Sequence, residues 1–386
     1  MAQREGHLTR REPPARSPLD DAPPGRIRLP KPGALALRIA LGLAVAIVLV
    51  VVFAQLVNLQ GALRRLEHLR LAPALLCGAV FLGAYVVRAL RWRLFLAPRR
   101  VSGLRAVAIY QVATFVNWLL PVRGGELVKS LLLRRLDAIP VSESLPTVAM
   151  DKTMDLLPAV ALFALLPFLP IQLSQPLWAL LTTVLIALAV GALFLGLAAW
   201  RRQTALAALG WCARRLPRTW RAKVEPFVLR FVDALLALAR RPRLLLAAAA
   251  LTAVAVALDA LNCWLAFAAT NTSLAFPLVL FGYTLYNLGF ILPTPPGQIG
   301  SNELIGLLIF AGLFHVNTQA VAAMFLFAHP FTAILLVATG LISLSAMGIS
   351  LRATFTLARR GPGPDPALAT DASNGMHVLD AEPLEV

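Results

Sequence analysis

Six stretches of this chain are apolar for long enough to cross a lipid bilayer: residues 34–57, 73–96, 144–169, 176–200, 244–269 and 319–348. A spanning helix needs roughly 20 mostly apolar residues, because the hydrocarbon core is about 30 Å thick and a helix rises about 1.5 Å per residue. Repeated runs of this kind exclude an ordinary soluble domain. Such a domain must keep far more polar surface than a chain with 59% hydrophobic and 14% charged residues can supply. The expected fold class is an all-α polytopic membrane protein, with about six full transmembrane helices.

The formal net charge of +17 is read as topology rather than as a nucleic-acid footprint, because basic side chains collect in cytoplasmic loops. The densest basic run, 201–243, carries only Glu225 and Asp233 as acids and faces anionic lipid headgroups. Within it, 220–240 has the spacing of an interfacial amphipathic helix. Residues 1–33 and 351–386 are polar and Pro-rich without apolar periodicity, and read as disordered cytoplasmic tails. The long polar lead before the first apolar run argues against a cleaved signal peptide. A multi-pass protein of the bacterial inner membrane follows, with both termini cytoplasmic and an outer loop holding Arg64, Arg65, Glu67 and Arg70. Cys77, Cys212 and Cys263 form no disulfide framework, and neither they nor the histidines have metal-ligand spacing, so no metal and no cofactor are expected.

Two further apolar stretches are too short and too broken to be simple spans. Residues 106–120 run into Pro121 and Arg123-Gly124-Gly125, and a second apolar arm starts at Glu126 and closes on Arg134 and Arg135. Residues 278–292 run into Pro293 and Pro295-Pro296-Gly297, with Gly300 following, and Glu303 opens an arm that ends at Phe314. Each reads as a re-entrant helical hairpin, 106–136 and 278–314. Non-helical backbone survives at membrane depth only inside protein or beside a water-filled cavity. One hairpin dips from the cytoplasm and the other from outside, which is the pattern of an inverted-topology repeat. A chance pair of Pro/Gly kinks is the alternative.

Ionisable groups at membrane depth are costly and raise a functional hypothesis by default. Glu126 and Glu303 open half-helices, where they either cap the positive helix end or line a site. With Arg123, Gly125 and Lys129 on one tip, and Pro293, Pro296, Gly297 and Gly300 on the other, the tips suit a phosphate-bearing headgroup. Asp151 and Asp155 share a helix face, and Lys152 can neutralise one of them, so a structural ion pair competes with a site. His329, before Pro330, is either a satisfied core histidine or a proton relay. Arg88, Arg91 and Arg93 with Trp92 read as an interfacial anchor.

RALRWRLFL at 88–96, FVNWLLPVRGGELVK at 115–129, DKTMD at 151–155 and LPTPPGQIGSNE at 292–303 resemble the flippase-like membrane domain of lysylphosphatidylglycerol synthases. The resemblance covers about 35–350. It implies two re-entrant hairpins and movement of a phospholipid or polyprenyl-type lipid between leaflets, with membrane lipids as partners. Two departures bear on the headgroup. The family often has Glu-Arg-x-x-Asp where this chain has Asp151-Lys152-Thr153-Met154-Asp155, and often has Arg near His329. A lipid translocase is the leading expectation. A non-catalytic subunit that assists a separate glycolipid- or hopanoid-type enzyme is the second. A lipid aminoacyl or glycosyl transferase is the third, disfavoured because only about 36 polar residues follow the last helix and no catalytic motif appears. The chain is therefore not expected to be an enzyme. It also lacks an ATP-binding motif, so transport would be downhill or ion-coupled.

Overall fold

The computed structural model describes residues 32–119, 124–158, 241–289 and 294–349, with isolated helical positions between 161 and 240. The described elements are all helical. In chain order they are α1 (Pro32–Leu56), α2 (Leu59–Glu67), α3 (Leu71–Phe95), α4 (Gly103–Leu119), α5 (Gly125–Asp137), α6 (Val141–Met154), α7 (Pro242–Ala269), α8 (Phe276–Gly289), α9 (Ser301–Gly306, continuing as a π-helix over Leu307–Leu313) and α10 (Thr318–Ala346). Among the described residues, α3, α7 and α10 are each long and apolar enough to cross a membrane. Leu43–Leu56 of α1 with α2, bent by 85°, makes a fourth candidate. The expected span 176–200 and the basic run 201–243, with its segment 220–240, lie almost wholly outside the described residues. So do residues 1–31 and 350–386.

The stretch expected to be an outer loop after α1 is instead the short helix α2. Asn58 is its N-cap, its Oδ1 accepting from the Gly61 N–H at 3.0 Å. A capping side chain at this position replaces the intrahelical acceptor that the first turn lacks. Ala62 packs inward while Arg64 and Glu67 face out, and the helix is held by its cap and by packing on the last helix, where Gln319 lies against Gly61.

Antiparallel packing of α3 on α7 forms the spine of the bundle. The Arg70 N–H donates to the Ala269 carbonyl at 2.9 Å at one end, and Arg241 Nη1 donates to the Ala97 carbonyl at 3.1 Å at the other. Between them, Asn262 Nδ2 donates to the Cys77 carbonyl at 2.8 Å. Ala74, Cys77, Ala84, Ala248, Ala255, Ala260 and Ala266 are buried along the seam. Small residues let two backbones approach closely, which drives helix association where lipid removes the usual hydrophobic difference. Leu71 and Leu75 of α3, Leu246 of α7, and Ile334 and Ile342 of α10 remain exposed.

Two pairs of short helices fold back on themselves. Ile109, Val112 and Val116 of α4 share one buried cluster with Val128, Leu132 and Leu133 of α5. A Cβ on Gly289 of α8 would lie 2.9 Å from Ile305, and one on Gly282 would lie 2.7 Å from Phe310, so α9 runs back along α8. The outer ends of the two pairs lie at opposite ends of the bundle. Arg105 at the start of α4 pairs with Asp137 at 2.6 Å, and Arg99 pairs with Glu143 at 2.9 Å, close to Arg241. The α8–α9 pair opens instead at the end where Asn271 Nδ2 donates to the His68 carbonyl at 2.6 Å and Gln319 packs on Gly61.

Candidate functional site

At the first break, the side chain of Asn117 replaces the missing helical ladder. Its Oδ1 accepts from the Gly125 N–H at 2.7 Å, and its Nδ2 donates to Glu126 Oε1 at 3.0 Å. Gly125 is required sterically: a Cβ there would sit 1.9 Å from the Ala113 carbonyl oxygen. The second break turns through Gly297 (φ 67°), Gln298 (φ 58°) and Gly300 (φ 78°), left-handed conformations that glycine adopts without cost. Pro296 opens the single 3₁₀ turn Pro296–Gln298. A Cβ on Gly297 would lie 3.5 Å from Trp118 of α4, so the two breaks meet.

Between them lies a cavity of about 540 Å³. Asn117, Trp118 and Glu126 border it from the first break, and Thr294, Gln298 and Asn302 from the second. α3, α6, α7 and α10 complete the wall with Arg88, Lys152, Asp155, Asp259 and His329, and Lys129 joins it from α5.

The charges of this wall form a linked set. Glu126 contacts Lys129 Nζ and Lys152 Nζ, each at 3.1 Å. Lys129 is buried, reaches Asp151 at 3.5 Å, and lies 3.8 Å from the centroid of the Tyr110 ring, a cation–π contact. Lys152 also meets Asp155 at 3.2 Å. Behind them Arg91 is fully buried and holds three side chains at once: Nε donates to Asp151 Oδ1 at 2.8 Å, Nη2 to Asp155 Oδ1 at 2.6 Å and Nη1 to Thr252 Oγ1 at 3.0 Å. Arg88 holds Asp259 through both guanidinium nitrogens, Nη1 donating to Oδ1 at 3.0 Å. A planar guanidinium suits this bidentate geometry as an ammonium does not.

Glu303 does not stand alone at the start of α9. Its Oε1 lies 2.6 Å from His329 Nδ1, and His329 Nε2 lies 2.9 Å from the Gly297 carbonyl. A carbonyl only accepts, so Nε2 carries a proton, and one further proton is shared between Nδ1 and Glu303. The last helix is thereby fastened to the second break.

The structure thus brings Glu126, Lys129, Lys152 and Asp155 to the cavity surface, with Asp151 just behind. It puts Gly125, Pro296, Gly297 and Gly300 into the backbone of the breaks, and joins Glu303 to His329. Arg123 and Pro293 lie outside the described residues. The expected interfacial anchor at 88–93 is corrected. Arg91 and Trp92 are buried, Arg88 faces the cavity, and only Arg93 turns away, donating to the Val101 carbonyl at 2.7 Å. Positions 88, 91 and 92 fall on one helical face and 93 on another. Asp259 joins the wall without belonging to any motif, its one sequence signal being that it is a single acid inside a 28-residue apolar helix. Among the described residues, no group of three or more His, Cys, Asp or Glu side chains could hold a metal ion.

An all-helical membrane bundle that encloses a charged cavity between two broken helix pairs defines the class of this protein. The chain belongs to the lysylphosphatidylglycerol synthase transmembrane-region family, whose pattern it matches over residues 39–340. No curated protein matches it.

Proposed function

We propose that this chain is a lipid translocase of the bacterial inner membrane, moving a phospholipid or polyprenyl-type lipid between leaflets. In this reading about six helices span the bilayer, α4–α5 and α8–α9 are re-entrant hairpins of an inverted-topology repeat, and their tips bound a polar site near the midplane. The observation that carries it is a cavity bordered by residues of both breaks, Asn117 and Glu126 from one and Gln298 and Asn302 from the other. Charged side chains are expensive at membrane depth, and a set this large beside a cavity supports a site for a polar group in transit. The opposite openings of the two helix pairs support access from either leaflet in turn.

Purified protein in vesicles carrying a fluorescent phospholipid tests the reading, with an impermeant quencher reporting the outer leaflet. Wild type should accelerate lipid exchange. Glu126→Gln should slow it about tenfold or more, equivalent to ~1.4 kcal/mol or more in the transport barrier. Its melting in detergent should stay near wild type, because Lys129 keeps Asp151 and Lys152 keeps Asp155. Unchanged exchange in Glu126→Gln would remove Glu126 from the site.

A further inference from the structure

We infer that Glu303 and His329 together form a proton-binding site, that the bound proton latches the second break to α10, and that the proton is the ion coupled to lipid movement. The inference rests on the translocase reading and deepens it by naming what drives the cycle.

The partner of each acid is the first support. Among the described residues, Asp259 is held by Arg88, Glu126 by Lys129 and Lys152, and Asp151 and Asp155 by Arg91. Glu303 differs, because its ionisable contact among those residues is His329, at 2.6 Å. Histidine is the side chain whose charge changes near neutral pH, whereas arginine keeps its proton throughout. Arg123, outside the described residues, therefore cannot be the group that exchanges the proton. The elements packed around the pair add no second histidine. α1 has no ionisable side chain over residues 39–56, and its Leu49 lies against Gly300. α8 brings Tyr283 and Tyr286, α4 brings Tyr110, and α7 brings Cys263 with Asp259. α3 brings Tyr85 and the Arg88 that holds Asp259. α2, with Arg64, Arg65 and Glu67, packs on α10 at Gln319, about three turns before His329.

The geometry of the contact is the second support. His329 Nε2 donates to the Gly297 carbonyl at 2.9 Å, so the proton between Nδ1 and Glu303 Oε1 is what makes the 2.6 Å contact a bond. His329 borders the cavity, and a polar cavity of this size admits water to take that proton. Its loss leaves a lone pair on Nδ1 facing a carboxylate oxygen, and two acceptors this close must separate. Glu303 Oε2 is buried without a hydrogen-bond partner, so nothing on that side holds the carboxylate in place. Both elements have a joint that can yield. Pro330 leaves the Leu326 carbonyl without its helical donor, and α9 passes into a π-helix at Leu307. Uptake of a proton from water restores the contact, and no other bond forms or breaks. The latch is closed while the proton is bound and opens as pH rises through the titration of the pair. Pro295 and Gln298 of the same turn border the cavity, so proton occupancy and cavity shape change together.

The test has two arms, both on the full chain. In the first, the protein sits in vesicles of phosphatidylethanolamine and phosphatidylglycerol in which a trace of either lipid is fluorescent. The leaflet ratio at the end point is read under an imposed pH gradient, because it does not depend on the rate. One pH unit should bias the ratio by up to about tenfold if one proton moves per lipid. The bias should vanish when the gradient is collapsed, and in His329→Gln and Glu303→Gln, whose amides hydrogen-bond without exchanging a proton. In the second arm, with Cys212 replaced by serine, spin labels at Gly83→Cys and Thr294→Cys report the distance from α3 to the second break in nanodiscs. With the pair intact, the distance should shift between about pH 6 and about pH 8.5. With either glutamine substitution it should not, and two variants keep the comparison available if one does not fold. Lipid exchange that ignores the gradient overturns the inference and leaves the translocase reading standing. A distance indifferent to pH, or a gradient response kept in both variants, overturns it as well. If no lipid is exchanged at all, the translocase reading falls and with it the coupling, while a pH-dependent distance lost in the variants still establishes the proton site and its latch.

Discussion

Arg91 illustrates how a charge is made tolerable in this bundle. Four of its five donors are met, by two carboxylates, a hydroxyl and the Asp151 carbonyl, so most of the guanidinium's polarity is satisfied inside the bundle. Breaking such a buried pair from one side is what costs most, because the partners remain. Arg91→Met should therefore destabilise the protein by about 3–5 kcal/mol, leaving Asp151 and Asp155 without their principal base. Asp155→Asn should cost much less, since Asp155 is 32% exposed and Arg91 retains Asp151. Chemical denaturation in detergent, followed by tryptophan fluorescence, gives both values. Equal losses in the two variants would contradict this division between a buried core of the network and its cavity-facing edge.

At the scale of the elements, the two breaks achieve the same end by different chemistry. The first is tied by Asn117, whose amide caps the start of α5 from the end of α4. The second is tied from a distance, by His329 of α10 reaching the Gly297 carbonyl. Gly125→Ala would drive a methyl into the Ala113 carbonyl and should cost about 1–3 kcal/mol, with lipid exchange lost as the tip is displaced. Gly83, in the middle of α3, is the internal comparison, because a Cβ there meets nothing within 4 Å. Gly83→Ala should stabilise by about 0.5–1 kcal/mol through helix propensity alone. Thermal melts of both variants decide the matter. A harmless Gly125→Ala would mean that α4 and α5 are not held this closely.

For the whole molecule, the decisive arrangement is that the two ends of the bundle differ in charge. One end gathers Arg99, Arg100, Arg105, Arg134, Arg135, Arg241 and Arg243 against Asp137 and Glu143, and the other carries the smaller set Arg64, Arg65 and Arg70 against Glu67, with His68, Asn271 and Gln319. Basic clusters stay on the cytoplasmic side. With Cys212 replaced by serine, and with Cys77 and Cys263 buried, single cysteines report the orientation. A cysteine at Glu143 should react with a membrane-impermeant thiol reagent only after the cells are opened. One at Asn271 should react in intact cells. The reverse pattern would invert the topology and exchange the leaflets that the two helix pairs face.

The class of the protein and the positions of its breaks were legible in the sequence, because both depend on local chemistry. Run length sets whether a helix can cross a bilayer, and Pro121, Gly125, Pro296, Gly297 and Gly300 punctuate wherever the chain happens to pack. Family membership was legible through the same motifs, over the stretch now matched at 39–340. Which acid meets which base was not. In a water-soluble helix the polar face announces itself by periodicity, but a helix in lipid is apolar on the face that meets hydrocarbon and on the face that meets protein. Nothing along α3 or α7 therefore states their rotation. Only packing through buried alanines turns Arg88 onto Asp259 and Arg91 onto Asp151, 171 and 60 positions away in the chain. The cavity exists for the same reason, since its wall is drawn from segments that the sequence separates and only the tertiary structure brings side by side.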